Sequence, residues 1–246
     1  AETMVAMPAR TISHPELWSP DTPSLYRLRS VLVDCADGRE LDAVEETFGL
    51  RWFAFDADRG FLLNGAPLKL IGTCRHQCRK GVGIALSEGQ HAEDIRLLKQ
   101  MGGNFLRVSH YPQDPRILEM CDKLGIIATV EIPIVNAVTE SDRFLTNSLH
   151  MAQEMVSQNF NHPSVVAWAY MNEILLRPPY AQGTERYEAY CQEIKRQAQA
   201  IEKLIRGMDS QRYTMMSNHG SLQAYQEAGL LDVAQIVGWL LYQVWF

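Results

Sequence analysis

Hydrophobic and polar residues change their period near residue 64, and that change divides the chain. Upstream, residues 25–33 alternate apolar and polar with period two, Asp37-Gly38 has hairpin-turn chemistry, and residues 47–53 start a further strand. This is the pattern of the end of an antiparallel β-sandwich. After the tight turn Asn64-Gly65, short apolar runs alternate with amphipathic stretches of helical period. Strands are predicted over 68–72, 104–108, 126–130, 165–171, 213–217 and 236–242. Helices are predicted around 95–101, over 115–124, from about 147 to 159, over 185–206, and near 221–228, with Gly125 stopping the second as a C-terminal glycine does.

Six strands alternating with five helices predict a parallel sheet, either open and doubly wound or rolled into a barrel. Gly81-Val82-Gly83 lacks the third glycine and the helix start of a dinucleotide fingerprint, so the barrel is favoured. A full (β/α)8 barrel takes about 250 residues and eight strands. The expectation is therefore an α/β chain with a partial (β/α)8 TIM barrel, about six of eight strands over 65–246, preceded over 1–64 by the end of an immunoglobulin-like β-sandwich. Neither the start at Ala1 nor the apolar end at Trp245-Phe246 has the character of a domain boundary, which suggests a piece of a longer protein.

Composition narrows the ligand more than the fold. The 246 residues are 46% hydrophobic and 21% charged, with a formal net charge of -6. That balance, without Lys/Arg clusters, argues against nucleic acid or an anionic membrane as partner. No apolar run approaches the ~20 residues of a membrane span, and the amino terminus lacks signal-peptide regions, so the compartment is left open. Five cysteines show one close grouping, Cys74 and Cys78, without a second pair to complete a zinc site. Reduced thiols, no metal and no cofactor are expected.

The strongest local feature is the run from Val165 to Met171, which stops at Asn172-Glu173. A strand interior would not tolerate such groups unpaired, so the run reads as a buried strand delivering an amide and a carboxylate to an active-site rim. Taken alone, the pair also fits a helix start, with Asn172 as cap. Its neighbours decide. Polar groups recur after the other four of the first five predicted strands: Arg75-His76, then Arg107 with Ser109-His110-Tyr111, Glu131, and Asn218-His219. Their convergence suits a polyhydroxylated ligand, which needs many directional donors and acceptors, with Trp239, Tyr242 and Trp245 available to stack on sugar C–H faces. Arg107 can equally tie strand ends together, and His110 can equally be a satisfied rim histidine.

Gly72-Thr73-Cys74-Arg75-His76, Arg107 to Pro112, Asn161 to Val165 and Met171-Asn172-Glu173, in this order and spacing, resemble family 2 glycoside hydrolases, the β-galactosidase, β-glucuronidase and β-mannosidase group. Leu17 to Tyr26 and Phe48 to Arg51 resemble the end of that family's immunoglobulin-like sandwich, and Phe61 to Gly65 the start of its barrel. The resemblance implies a retaining hydrolase of β-linked oligosaccharides or glycosides with Glu173 as general acid/base. It also implies that His76, Arg107, His110 and Asn172 line the glycone subsite, with Tyr242 and Trp245 beside it. The nucleophilic glutamate of the family follows a seventh strand, which is not among those predicted here, and Glu131 is implied to lie near the sugar pocket without taking that role.

Several residues depart from the family pattern. Leu240 stands where Asn is usual, Val244 where Gly precedes the Trp, and Phe246 where Tyr is usual; Ile84 and Cys78-Arg79 replace more polar or acidic residues. An apolar Leu240 cannot offer an amide to a sugar. The favoured reading is β-galactosidase-like, with glucuronidase disfavoured and the isolated chain inactive. The alternatives are a non-catalytic carbohydrate-binding or scaffold remnant, or a half-barrel completed by another chain or by self-association through its open edge.

Overall fold

In the computed structural model, residues 9–241 are described. Two antiparallel pieces come first. Strands β1 (Tyr26–Val33) and β2 (Glu40–Phe48) form a hairpin with Tyr26 opposite Phe48, turning at Gly38 as the sequence predicts. The strand expected to begin at Thr47 instead ends at Phe48. Gly49 follows it, and a Cβ there would lie 2.8 Å from the Pro163 ring, so this segment packs on the barrel and keeps only a single parallel bridge, Leu17 with Leu50, where Trp18 N donates to Leu50 O at 2.8 Å. Strands β3 (Phe53–Asp56), β4 (Gly60–Leu63) and β5 (Ala66–Pro67) form a small second sheet. Its last turn is Asn64-Gly65, with φ of 50° and 88°, left-handed geometry that Asn and Gly adopt at low cost.

Six parallel strands follow: β6 (Gly72–Arg75), β7 (Phe105–Val108), β8 (Ile127–Glu131), β9 (Val165–Asn172), β10 (Tyr213–His219) and β11 (Ile236–Leu240). They lie in sequence order across one sheet, six strands of an α/β barrel. Helices α1 (Glu88–Gln100), α2 (Pro115–Leu124), α3 (Asp142–Asn159), α4 (Glu185–Met208) and α5 (Leu222–Glu227) connect them. The first parallel strand begins four residues later than predicted. Leu68 N bonds Phe61 O at 2.9 Å, so the apolar run from Leu68 continues the small sheet before β6 starts. Helix α3 starts at Asp142 instead of near 147, because Ser141 Oγ accepts from Phe144 N at 3.2 Å and caps it there.

Burial explains which end of the barrel is free for chemistry. Strands β8 and β9 are buried throughout, as parallel strands covered on both faces are. On the helix side, Val108, Val130, Trp168 and Tyr170 pack against Ile95, Ile117, Met155, Ile194 and Ile201. At the amino ends of the strands, Trp18, Phe61, Leu63, Ile127 and Val166 form a separate apolar cluster with Phe53, Phe55 and Phe105. This plug closes the lower mouth. Polar side chains on the inner face are left to the carboxyl ends.

Candidate active site at the carboxyl ends of the strands

Glu173 follows the last residue of β9, and its backbone geometry is specific. Met171 and Glu173 both have positive φ, 58° and 49°, and the β9–β10 register slips between Met215 and Ser217. Non-glycine residues in this region cost of order 1 kcal/mol or more each, so surrounding bonds must hold them. They do: Glu173 N donates to Ser217 O at 2.7 Å, Asn172 N to Ile134 O at 2.8 Å, and Asn136 N to Asn172 O at 2.9 Å. The pair is thus a strand end, and the helix-cap alternative falls away.

The side chains form one connected network. Arg107 Nη2 donates to Glu131 Oε2 at 3.0 Å and to Asn172 Oδ1 at 2.6 Å. Asn172 Nδ2 donates to Glu173 Oε2 at 3.3 Å, while Glu173 Oε1 has no hydrogen-bond partner among the described residues. Glu131 Oε1 lies 3.3 Å from His110 Nδ1, and the His76 and His110 rings meet edge-on with centroids 4.9 Å apart. Burial, with His110 close by, lowers the His76 pKa, so the neutral imidazole is favoured there. Five of the residues singled out from sequence, His76, Arg107, His110, Asn172 and Glu173, therefore belong to one rim together with Glu131. Tyr242 and Trp245 lie outside the described residues.

Other expectations are corrected. Trp239 is not a sugar platform: its ring packs on Tyr225, 5.7 Å away at 85°, on the helix side of the sheet. Arg75 does not face a ligand either. It is 8% exposed, and its Nε and Nη2 bond Asp94 Oδ2 at 2.9 and 2.7 Å. The motif Asn161 to Val165 works at the opposite end, where His162 Nδ1 meets Asp122 Oδ2 at 2.5 Å and Ser164 N donates to Asp122 Oδ1. Asn218 is buried with neither amide atom partnered among the described residues. Leu240 ends β11 opposite His219. Sequence reasoning missed Gln113, which stitches the loops of this rim; its only signal was its place four residues after Ser109 in a strand-end loop.

Comparison with known proteins settles the family. The description "Glycosyl hydrolases family 2, TIM barrel domain" matches residues 57–233, and "Glycosyl hydrolases family 2" matches 2–51. The chain belongs to glycosyl hydrolase family 2. Among solved family members, Bacteroides uniformis β-glucuronidase 2, covalently bound to cyclophellitol-6-carboxylate aziridine, superposes with a TM-score of 0.90 at 44% identity, covering 95% of this chain and 28% of that one. A Bacteroides fragilis β-glucuronidase is 38% identical over 171 residues, 66% of this chain and 24% of its own length. A Bacteroides ovatus β-galactosidase is 32% identical over 174 residues, 67% of this chain and 20% of its length. The chain thus spans about a quarter of the family members it matches. The higher identities go to β-glucuronidases, against the expectation of β-galactosidase-like specificity. No helix among the described residues is long and apolar enough to cross a membrane.

Proposed function

We propose that this chain carries the acid/base half of a retaining exo-glycosidase, and that the glycone it serves is a terminal β-linked glucuronic acid. The observation that carries the proposal is the Arg107–Asn172–Glu173 chain of hydrogen bonds at the end of β9. It fixes one oxygen of the Glu173 carboxylate and leaves the other without a partner among the described residues. A group so held protonates the glycosidic oxygen as it leaves, then takes a proton from the water that attacks the glycosyl-enzyme. Asn172, Arg107, His110 and His76 then flank the sugar.

Retention also needs a nucleophilic carboxylate roughly 5 to 5.5 Å from the acid. Glu131 is a poor candidate, because both of its oxygens are engaged, by Arg107 and His110, and it is 2% exposed. The nucleophile is assigned to no described residue. The preference for glucuronides rests on the relatives' names and on the carboxylate-bearing inhibitor in the Bacteroides uniformis structure. β-Galactosides are the second reading, supported by the Bacteroides ovatus relative.

The test fuses the chain to the C-terminal remainder of the Bacteroides uniformis enzyme and compares 4-nitrophenyl β-glucuronide with the β-galactoside. Turnover of the glucuronide, lowered about 10²- to 10⁴-fold by Glu173→Gln, is expected. Full activity in Glu173→Gln sinks the acid/base assignment. A preference for the galactoside sinks the substrate.

A further inference from the structure

The two rim histidines sit one residue beyond a three-way clamp. Gln113 Nε2 donates to Arg75 O at 2.6 Å and to Ser109 O at 2.9 Å, and its Oε1 accepts from Arg75 Nη1. Ser109 adds its own Oγ and N to the same Arg75 carbonyl, at 3.2 and 3.3 Å. Arg75 ends β6 and is pinned to α1 through Asp94; its next residue is His76. Ser109 follows β7; its next residue is His110, whose Nδ1 meets Glu131.

Gln113 adds nothing to the helix it precedes. Asp114 caps α2 through its bond from Arg116 N at 2.9 Å, and the Gln113 amide turns away toward β6. Its two bonds to Arg75 tie the end of β6 to the loop after β7, and its third, to Ser109 O, braces that loop from within. We propose that Gln113 is a positioning residue, which sets the spacing of His76 and His110 above Glu131 and so the shape of the glycone subsite. This rests on the reading of the rim as a sugar site. The chemistry it demands of residue 113 is specific: an amide that both donates to two carbonyls and accepts from a guanidinium. A carboxylate can do only the second.

That difference supplies the test. Gln113→Glu keeps the pairing with Arg75 but turns a carboxylate oxygen toward the Arg75 and Ser109 carbonyls, so a modestly lowered melting temperature is expected, with the chain still folded. The two donations are lost, so the ring resonances of His76 and His110 in isotopically labelled chain are expected to shift or broaden. In the fusion with the Bacteroides uniformis remainder, KM for the glucuronide is expected to rise about tenfold with kcat within about threefold, since misplaced binding groups lose ground-state and transition-state contacts alike. Gln113→Leu is expected to reproduce the histidine shifts. Unchanged histidine resonances in folded Gln113→Glu overturn the proposal, as do shifts of equal size spread through the barrel strands instead of confined to the two loops. If the parent fusion turns over neither glycoside, the functional reading fails while the histidine resonances still decide the positioning role.

Discussion

Arg107 Nη2 lies 2.6 Å from Asn172 Oδ1, and this contact sets which way the amide faces. With Oδ1 committed to the guanidinium, Nδ2 is turned to Glu173, 3.3 Å from Oε2. The same nitrogen of Arg107 also holds Glu131, which is 2% exposed. Arg107→Leu leaves that carboxylate buried without its counter-ion, at an expected cost of about 3 to 5 kcal/mol. Arg107→Lys keeps a charge but sets its one nitrogen differently from Nη2, which makes both contacts, so a smaller loss is expected. Urea denaturation of both variants checks the order. Equal stability of Arg107→Leu and the parent would show that the network carries no energetic weight.

A pH dependence follows from two histidines. Burial lowers the pKa of His76 below its ordinary 6.5. Burial also lowers that of His219, with Glu173 opposing it. A depressed histidine binds fewer protons folded than unfolded, so stability rises with pH between the folded and unfolded values. The contribution is at its full, unpenalised level above about pH 6.5 and is lost as pH falls below that. The parent chain is therefore expected to lose melting temperature from about pH 7 to pH 5, before the carboxylates titrate. Replacing His76 with Gln flattens the slope. A slope that stays the same in His76→Gln would remove His76 as a cause.

The six parallel strands and the polar residues at the ends of five of them were legible because each depends on local pattern. Val165 to Met171 is apolar throughout since β9 is covered on both faces, and that made Asn172-Glu173 conspicuous. What escaped was set by distant partners. Leu68 and Leu70 have strand composition, but they pack beside Phe53 and Phe61 in the lower plug, so β6 starts only at Gly72. Trp239 offered a stacking face in sequence and found Tyr225 instead. Arg75 and His76 are adjacent and look alike as rim groups, yet one is spent on Asp94 and the other stands over His110. Nothing local distinguishes them.

Gly72 marks a close approach that only glycine allows. A Cβ there would fall 1.6 Å from Phe105 O, inside the β6–β7 pairing. Gly72→Ala must push the two strands apart, and a displacement of backbone is expected to cost more than the ~1 to 3 kcal/mol of an ordinary overpacked side chain. Hydrogen exchange gives the check: the amides of Leu106 and Arg107 are expected to lose protection before those of β9. Protection unchanged in Gly72→Ala would contradict the packing described.

Glu131 permits a sharper test of the division of labour between the two rim carboxylates. If it served as the nucleophile, it would need a free oxygen facing the anomeric carbon, and neither of its oxygens is free. Its expected role is to hold Arg107 and His110. Glu131→Gln keeps an acceptor for Arg107 but removes the charge, for an expected loss of about 1 to 3 kcal/mol. In the fusion with the Bacteroides uniformis remainder, the variant is expected to show weakened sugar binding and still to become covalently labelled by cyclophellitol-6-carboxylate aziridine, because the bond-forming carboxylate is elsewhere. Mass spectrometry of the labelled protein locates the adduct. An adduct on Glu131 in the parent, or loss of all labelling in Glu131→Gln under conditions where the variant remains folded, would transfer the nucleophile's role to this residue and overturn the assignment made for Arg107 as its structural partner.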